Sequence, residues 1–162
     1  MKILFVCLGN ICRSQMAEAM LRHRLKEMQQ SGATGSSQLS TFDAQFEIDS
    51  AGTSDEEEGN PMYPPARQCL KSHGIEPGNH RARQITRADY DRFDMIILME
   101  EANRRQMRHI IAADPDAKIS LLLDHAPHAD HRDIADPWYT GGFEATYRDI
   151  RQGLDGLINV LL

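Results

Sequence analysis

Residues 1–14 restrict the fold more than any other stretch of this chain. Residues 3–6 (Ile-Leu-Phe-Val) form an apolar run that ends near the turn signal Gly9-Asn10, which suits a short buried strand and is too brief for a helix. From Ser14 onward Ala17, Leu21, Leu25 and Met28 recur at helical spacing, while Glu18, Arg22, Arg24, Lys26 and Glu27 lie mostly off that stripe. A strand, a tight loop and a helix in immediate succession open a βα unit, whose strand needs parallel neighbours.

The rest of the chain continues the alternation. Residues 46–50, 95–99 and 118–123 read as further strands, and 101–113 as a helical segment. Residues 64–73 read as a short helix with two prolines in its first turn and Gly74 just past its end. Near the C-terminus Phe143, Tyr147, Ile150, Leu154, Leu157 and Leu161 follow the step of one helix with a continuous buried stripe. The pattern predicts an α/β fold, a parallel sheet with helices on both faces and right-handed crossovers. Sites in such folds lie at the carboxyl ends of the strands, where Cys7 falls. Residues 31–45, rich in Gly, Ser and Thr, break the pattern and are expected to be a flexible surface excursion, leaving 1–162 as a single domain.

Composition narrows the partners. A chain of 162 residues that is 41% apolar can bury one substantial core. Eighteen basic against 24 acidic side chains give a net charge of -6, which argues against a broad nucleic-acid or anionic-membrane surface. Any phosphate on a substrate must therefore be attracted locally. Lys2 and the apolar run behind it are cut short as a leader by Gly9, Asn10 and Arg13, and no segment is long enough for membrane insertion. Cys7, Cys12 and Cys69 are an odd set without disulfide or zinc-site spacing, so reduced thiols in a cytoplasmic protein are expected.

The chemistry lies in the first loop. Cys7-Leu8-Gly9-Asn10-Ile11-Cys12-Arg13-Ser14 puts a thiol at a strand end, an arginine six residues later and a helix start directly behind. The N–H groups of such a loop and helix terminus form an anion-binding concavity, and Gly9 and Asn10 tolerate the positive φ that the curl requires. Arg13 can add a bidentate, permanently charged clamp. The same field favours thiolate over thiol, and a thiolate facing bound phosphate is a nucleophile aimed at phosphorus. A bare Cys-x5-Arg match would be no more than a buried cysteine before a turn; the strand ahead and the helix behind give it weight.

These residues resemble the phosphate loop of the low-molecular-weight protein tyrosine phosphatases. Asp49-Ser50-Ala51-Gly52-Thr53 is similar to the segment at that family's second strand, His80-Arg81-Ala82-Arg83 to its following loop, and Asp136-Pro137-Trp138-Tyr139 to its general-acid loop. The resemblance implies a flavodoxin-like sheet of four parallel strands and hydrolysis of phosphotyrosine through a phosphocysteine on Cys7, with no cofactor and no metal. It implies that residues 8–13 bind the phosphate, that Arg13 holds its oxygens and that Ser14 donates to the thiolate. Asn10 would be held in a strained conformation by Ser50 and His80. Asp136 would protonate the leaving phenolate and then take a proton from the attacking water, since repulsion from a bound dianion favours a protonated carboxyl. Ile11, Glu56, Tyr63, Trp138 and Tyr139 would form the substrate pocket, with Glu56 where the family often has an aromatic residue; Gln15 replaces a usual proline. Phosphotyrosine proteins or peptides, and a cognate tyrosine kinase, are the implied partners. Cys12, facing the same tight loop as Cys7, is expected to form a reversible disulfide with it under peroxide.

Other features carry less. His125, His128 and His131, interleaved with Asp124, Asp130 and Asp133, have metal-ligand types but sit in a Pro-containing segment expected to be an exposed polar loop. The run 55–58 reads as solvated charge bordering the pocket mouth, and Cys69 as a core residue of a short helix. Rival functions on the same scaffold are a protein arginine phosphatase, whose loop tends to carry threonine where Ile11 stands, and a thioredoxin-coupled arsenate reductase, which needs two further cysteines where only Cys69 remains. A non-catalytic phosphate-binding module would require neither the thiol nor the acid.

Overall fold

Each strand of the sheet ends where a loop can reach a common rim, and the chain order of the strands decides which rim residues meet. The computed structural model describes residues 1–31 and 45–162, so the excursion expected at 31–45 lies, apart from its end residues, outside the described residues. Strands β1 (Lys2–Cys7), β2 (Glu47–Gly52), β3 (Met95–Leu98) and β4 (Ile119–Leu121) form one sheet in the order β2-β1-β3-β4. All three pairings are parallel, with Cys7 opposite Gly52 and Val6 opposite Leu98. The chain leaves β1 toward one edge and returns to β3 on its other side, so the ends of β1 and β3 form the switch point where α/β proteins bind ligands.

Strand alternation divides the core. Ile3, Phe5 and Cys7 face helices α1 (Arg13–Ser31), α2 (Pro64–Ser72) and the C-terminal helix, whereas Leu4 and Val6 face Tyr90, Phe93, Met107 and Ile111 on the other side. The sheet is thus covered on both faces, as the sequence predicts. The C-terminal helix, Phe143–Leu161, buries Tyr147, Ile150, Leu154 and Leu157 from the expected stripe, each worth about 1.5–3 kcal/mol when fully removed from water.

Several boundaries differ from the sequence reading. Residues 87–92 form a short helix, α3 (Arg87–Arg92), that apolar periodicity missed because Tyr90 is its main buried side chain. Its signal was polar: Asp89 Oδ2 accepts from Thr86 N at 2.7 Å and from Thr86 Oγ1 at 3.1 Å. The segment expected to be helical over 101–113 is regular only in α4 (Glu101–Gln106). Pairing of β4 stops at Leu121 because Leu122–His125 turns into a 3₁₀ segment. That turn lies against two glycines of the C-terminal helix: a Cβ on Gly156 would stand 1.7 Å from the His125 carbonyl oxygen, and one on Gly153 2.5 Å from Leu122 Cγ. Glu18, placed off the apolar stripe of α1, is 5% exposed, because the first half of that helix is enclosed on all sides.

Candidate active site

The loop after β1 curls because Asn10 adopts φ 57°, a left-handed conformation that asparagine tolerates better than most residues. Its carbonyls are tied outward. Those of Cys7, Leu8, Ile11 and Cys12 accept from the N–H groups of Thr53 (2.9 Å), Ser54 (3.0 Å), Tyr63 (2.9 Å) and Met16 (2.9 Å). Gln15 Nε2 donates to the Asn10 carbonyl at 2.8 Å, so the residue that replaces proline acts as a brace. With its acceptors occupied on the outside, the loop can turn donors inward, the arrangement that cradles an anion. Gly52 permits the close approach: a Cβ there would lie 2.8 Å from the Leu8 carbonyl oxygen.

Cys7 Sγ sits at the floor, 3.0 Å from Ser14 Oγ, and accepts from Asn10 N at 3.3 Å. The Asn10 side chain is fully buried and uses all of its main bonding capacity. Nδ2 donates to Ser14 Oγ (2.8 Å) and Ser50 Oγ (3.0 Å), and Oδ1 accepts from Arg83 N (3.1 Å) and pairs with His80 Nε2 (2.9 Å). His80 continues outward, its Nδ1 lying 3.3 Å from Asp49 Oδ1 and 3.5 Å from Glu18 Oε1. Burial pushes the Glu18 carboxyl up to about 7, against the pull of His80 and Arg22. Burial acts the same way on Asp49, but hydrogen bonds from His80, Ser50 N and Arg83 outweigh it and hold Asp49 well below the usual carboxylate range.

Arg13, 1% exposed, stretches along the wall. Its Nη1 donates to the Ile134 carbonyl at 2.8 Å and pairs with Glu100 Oε2 at 3.2 Å, while Nη2 meets Asp136 Oδ2 at 3.3 Å. Burial disfavours the guanidinium charge, but Cys7, Asp136 and Glu100 outweigh that and raise its proton affinity further. Asp136 caps the short helix α5 (Pro137–Thr140): its Oδ1 accepts from Trp138 N at 3.0 Å, which leaves Oδ2 directed at Arg13. The other loop thiol is different. Burial and the neighbouring Cys7 and Asp136 push Cys12 up to about 12, so it remains protonated at neutral pH.

A cleft of about 190 Å³ opens over Cys7, lined by Leu8, Gly9, Ile11, Cys12, Arg13 and Asp136 within, and by Ser54, Glu56, Glu57, Trp138 and Tyr139 toward the mouth. Trp138 and Tyr139, adjacent in sequence and both on the cleft rim, are 51% and 77% exposed. Tyr63, expected in the wall, is not among the lining residues; it supports Trp138 from behind, ring centroids 4.7 Å apart, because its backbone is tied to Ile11 at the start of α2. Sequence reasoning missed Glu100, Ser54 and Glu18, and it gave Asp49 no role beyond its place in the segment at the second strand; Glu57 lies in the run expected at the pocket mouth. Only Glu100 carried a signal, its place just beyond β3 at the rim. Two of the three histidines of the 124–133 segment are engaged separately: His125 pairs with Ser120, and His131 with Asp130 and Asp149. Apart from half-buried His125 and Ala129 and buried Ala126, the segment is exposed, as expected.

The sequence model of the family described as low molecular weight phosphotyrosine protein phosphatase matches residues 2–162. A Bacillus subtilis relative, low molecular weight protein-tyrosine-phosphatase YfkJ, is 35% identical over 96% of this chain and 92% of its own. Its crystal structure superposes with a TM-score of 0.87, covering 99% of this chain and 94% of that one at 34% identity. The human low molecular weight phosphotyrosine protein phosphatase is 39% identical over 90% of this chain and 86% of its own. The crystal structure of a drosophila arginine phosphatase also matches, with a TM-score of 0.81 and 30% identity over 99% of this chain and 98% of that one. With a full-length match, relatives well above 30% identity and the same flavodoxin-like sheet, the chain belongs to the low molecular weight phosphotyrosine protein phosphatase family.

Proposed function

We propose that this phosphomonoester hydrolase transfers the phosphoryl group of phosphotyrosine to Cys7 and then to water. The observation that carries the reading is the convergence of Cys7 Sγ, the Arg13 guanidinium and Asp136 Oδ2 in one cleft, with Ser14 Oγ 3.0 Å from the sulfur. The phosphate displaces Asp136 from Arg13 and takes up the loop N–H groups of residues 8–13. An S–P bond forms as the P–O bond to the phenol breaks, and Asp136 supplies the proton that the leaving oxygen needs. Water then attacks phosphorus, Asp136 accepts its proton, the electron pair of the S–P bond returns to sulfur and phosphate departs. Cys12, held protonated, does not compete as nucleophile but can close a disulfide on an oxidised Cys7. Residues 1–162 work as one phosphatase domain. Phosphotyrosine proteins, a cognate tyrosine kinase among them, are the partners, and the reduced thiols suit the cytoplasm.

Ile11 in the cleft and Trp138 and Tyr139 at its mouth suit a phenyl ring, with aromatic contacts of about 0.5–1.5 kcal/mol beyond area burial. Glu56 and Glu57 beside them disfavour acidic flanking residues. The likeness to an arginine phosphatase supports a second reading, phosphoarginine as substrate. Rates on matched phosphotyrosine, phosphoarginine and phosphoserine peptides separate the two. Phosphotyrosine is expected to give the highest kcat/KM and phosphoserine the lowest; faster turnover of phosphoarginine would overturn the substrate while leaving the Cys7 chemistry standing.

A further inference from the structure

Away from the cleft, the end of α2 and the start of the C-terminal helix bring three chemically distinct donors together. Cys69 Sγ lies 3.5 Å from Glu144 Oε1, and His73 Nε2 lies 3.2 Å and 2.9 Å from the two oxygens of the same carboxylate. One donor atom from each side chain can be chosen so that all three fall within 4.8 Å of one another. The buried thiol donates to the Glu144 carboxylate and, at 3.7 Å, to the Phe143 carbonyl, so a sulfur, an imidazole and a carboxylate meet at one point. The other converging group among the described residues, Glu18, Asp49 and His80, is already committed to holding Asn10.

We propose that Cys69 Sγ, His73 Nε2 and the Glu144 carboxylate form a site for one zinc-class divalent cation that ties α2 to the C-terminal helix. Tetrahedral zinc, with bonds of about 2.3 Å to sulfur and about 2.0–2.2 Å to nitrogen and oxygen, sets the ligand atoms about 3.6 Å (S to O) and about 3.4 Å (N to O) apart. The observed 3.5 Å and 3.2 Å are those edges within a few tenths of an ångström, so the S-to-N edge is the one that must close. A thiolate, an imidazole and a carboxylate match the borderline-soft preference of zinc and not the all-oxygen preference of magnesium or calcium.

The surroundings suit a ligand set. His73 stacks on Tyr147 with centroids 3.7 Å apart and planes 7° from parallel, which fixes the ring plane and the direction of Nε2. Cys69 and His73 are four residues apart, so the helical turn presents both to one point. The hydrogen bond from His73 keeps Glu144 below the usual carboxylate range, and so available as an anion. Burial, reinforced by Glu144, pushes the Cys69 thiol up to about 11, so binding must expel its proton to solvent as the metal–sulfur bond forms, with no change in oxidation state. His73 and Glu144 face solvent, which gives the cation an entry path and leaves a fourth position for water.

Titration of the full chain with Co²⁺ tests the site, because cobalt takes zinc geometries and a cobalt–thiolate bond has its own charge-transfer absorption. The wild type is expected to develop that band with one equivalent bound, and Zn²⁺ to bleach it. Cys69→Ser should abolish the band. His73→Ala, at an exposed position and with its urea midpoint checked because the ring stacks on Tyr147, should weaken Co²⁺ binding by more than the 10–100-fold that loss of a supporting outer partner costs. No band at millimolar Co²⁺ would overturn the proposal. So would a band indifferent to Cys69→Ser, which would mark the loop cysteines as the ligands, or affinity unchanged in His73→Ala.

Discussion

Replacing Asn10 with alanine would remove the brace of the phosphate loop without touching a group that meets phosphate through its side chain. Four side-chain hydrogen bonds disappear, to Ser14, Ser50, His80 and Arg83 N, and each is worth about 0.5–1.5 kcal/mol net. Alanine at φ 57° adds about 1–2 kcal/mol of strain. An unrelaxed native state would therefore lose several kcal/mol, a large share of the roughly 5–15 kcal/mol that holds a domain together. The loop has a cheaper response, which is to uncurl, so the loss divides between global stability and anion affinity. Both should be read, the first by urea unfolding and the second by calorimetric titration with vanadate. Asn10→Gly separates the causes, because glycine relieves the strain without restoring the bonds; it is expected to recover only about 1–2 kcal/mol of stability and little of the affinity. If Asn10→Ala bound vanadate as tightly as the parent and unfolded at the same urea concentration, the network would not be what shapes the loop.

Asp136→Asn is expected to slow phosphotyrosine hydrolysis by about 10²–10⁴-fold, with a much smaller defect on aryl phosphates whose leaving groups need no proton; equal defects on both would remove Asp136 as the acid. Glu18 binds its proton more tightly folded, at about 7, than in the unfolded chain, so the stability it contributes is complete below about 4.5 and is lost as pH rises through 7. Glu18→Gln should flatten that slope and gain stability relative to the parent on going from pH 5 to pH 8, as urea midpoints will register; an unchanged slope would mean that Glu18 is ionised throughout. Gly156→Ala must move the C-terminal helix away from the His125 carbonyl oxygen, at a cost of about 3 kcal/mol seen as a lower melting temperature, and unchanged melting would show that the 3₁₀ turn yields freely.

The fold, and the grouping of Cys7 and Arg13 in one loop, were legible because each left a local mark. The four apolar runs mark the strands, and the step from Phe143 to Leu161 marks the last helix. The Cys7–Arg13 spacing between strand and helix marks the phosphate loop. Residues that act through tertiary placement left none. Glu18 reads as a surface charge on α1, and Asp49 belongs to a segment similar to the family's second strand with no contact assigned to it; both meet the site only because His80 is brought between them from the loop after α2. Tyr63 illustrates the opposite error. Its type suits a pocket wall, but its backbone bond to Ile11 places the ring behind Trp138. The helix at Arg87–Arg92 went unread because a capping box, not apolar periodicity, defines it.

The central claim is that the phosphoryl group passes through Cys7. A radiolabelled aryl phosphate with a good leaving group, mixed rapidly with enzyme and quenched in acid within one turnover, should leave label covalently attached to the wild-type chain. The label should accumulate in Asp136→Asn, where removal by water is slowed. Cys7→Ser keeps the loop and Arg13 and should still bind vanadate, yet carry no label. Label persisting on Cys7→Ser would contradict the account.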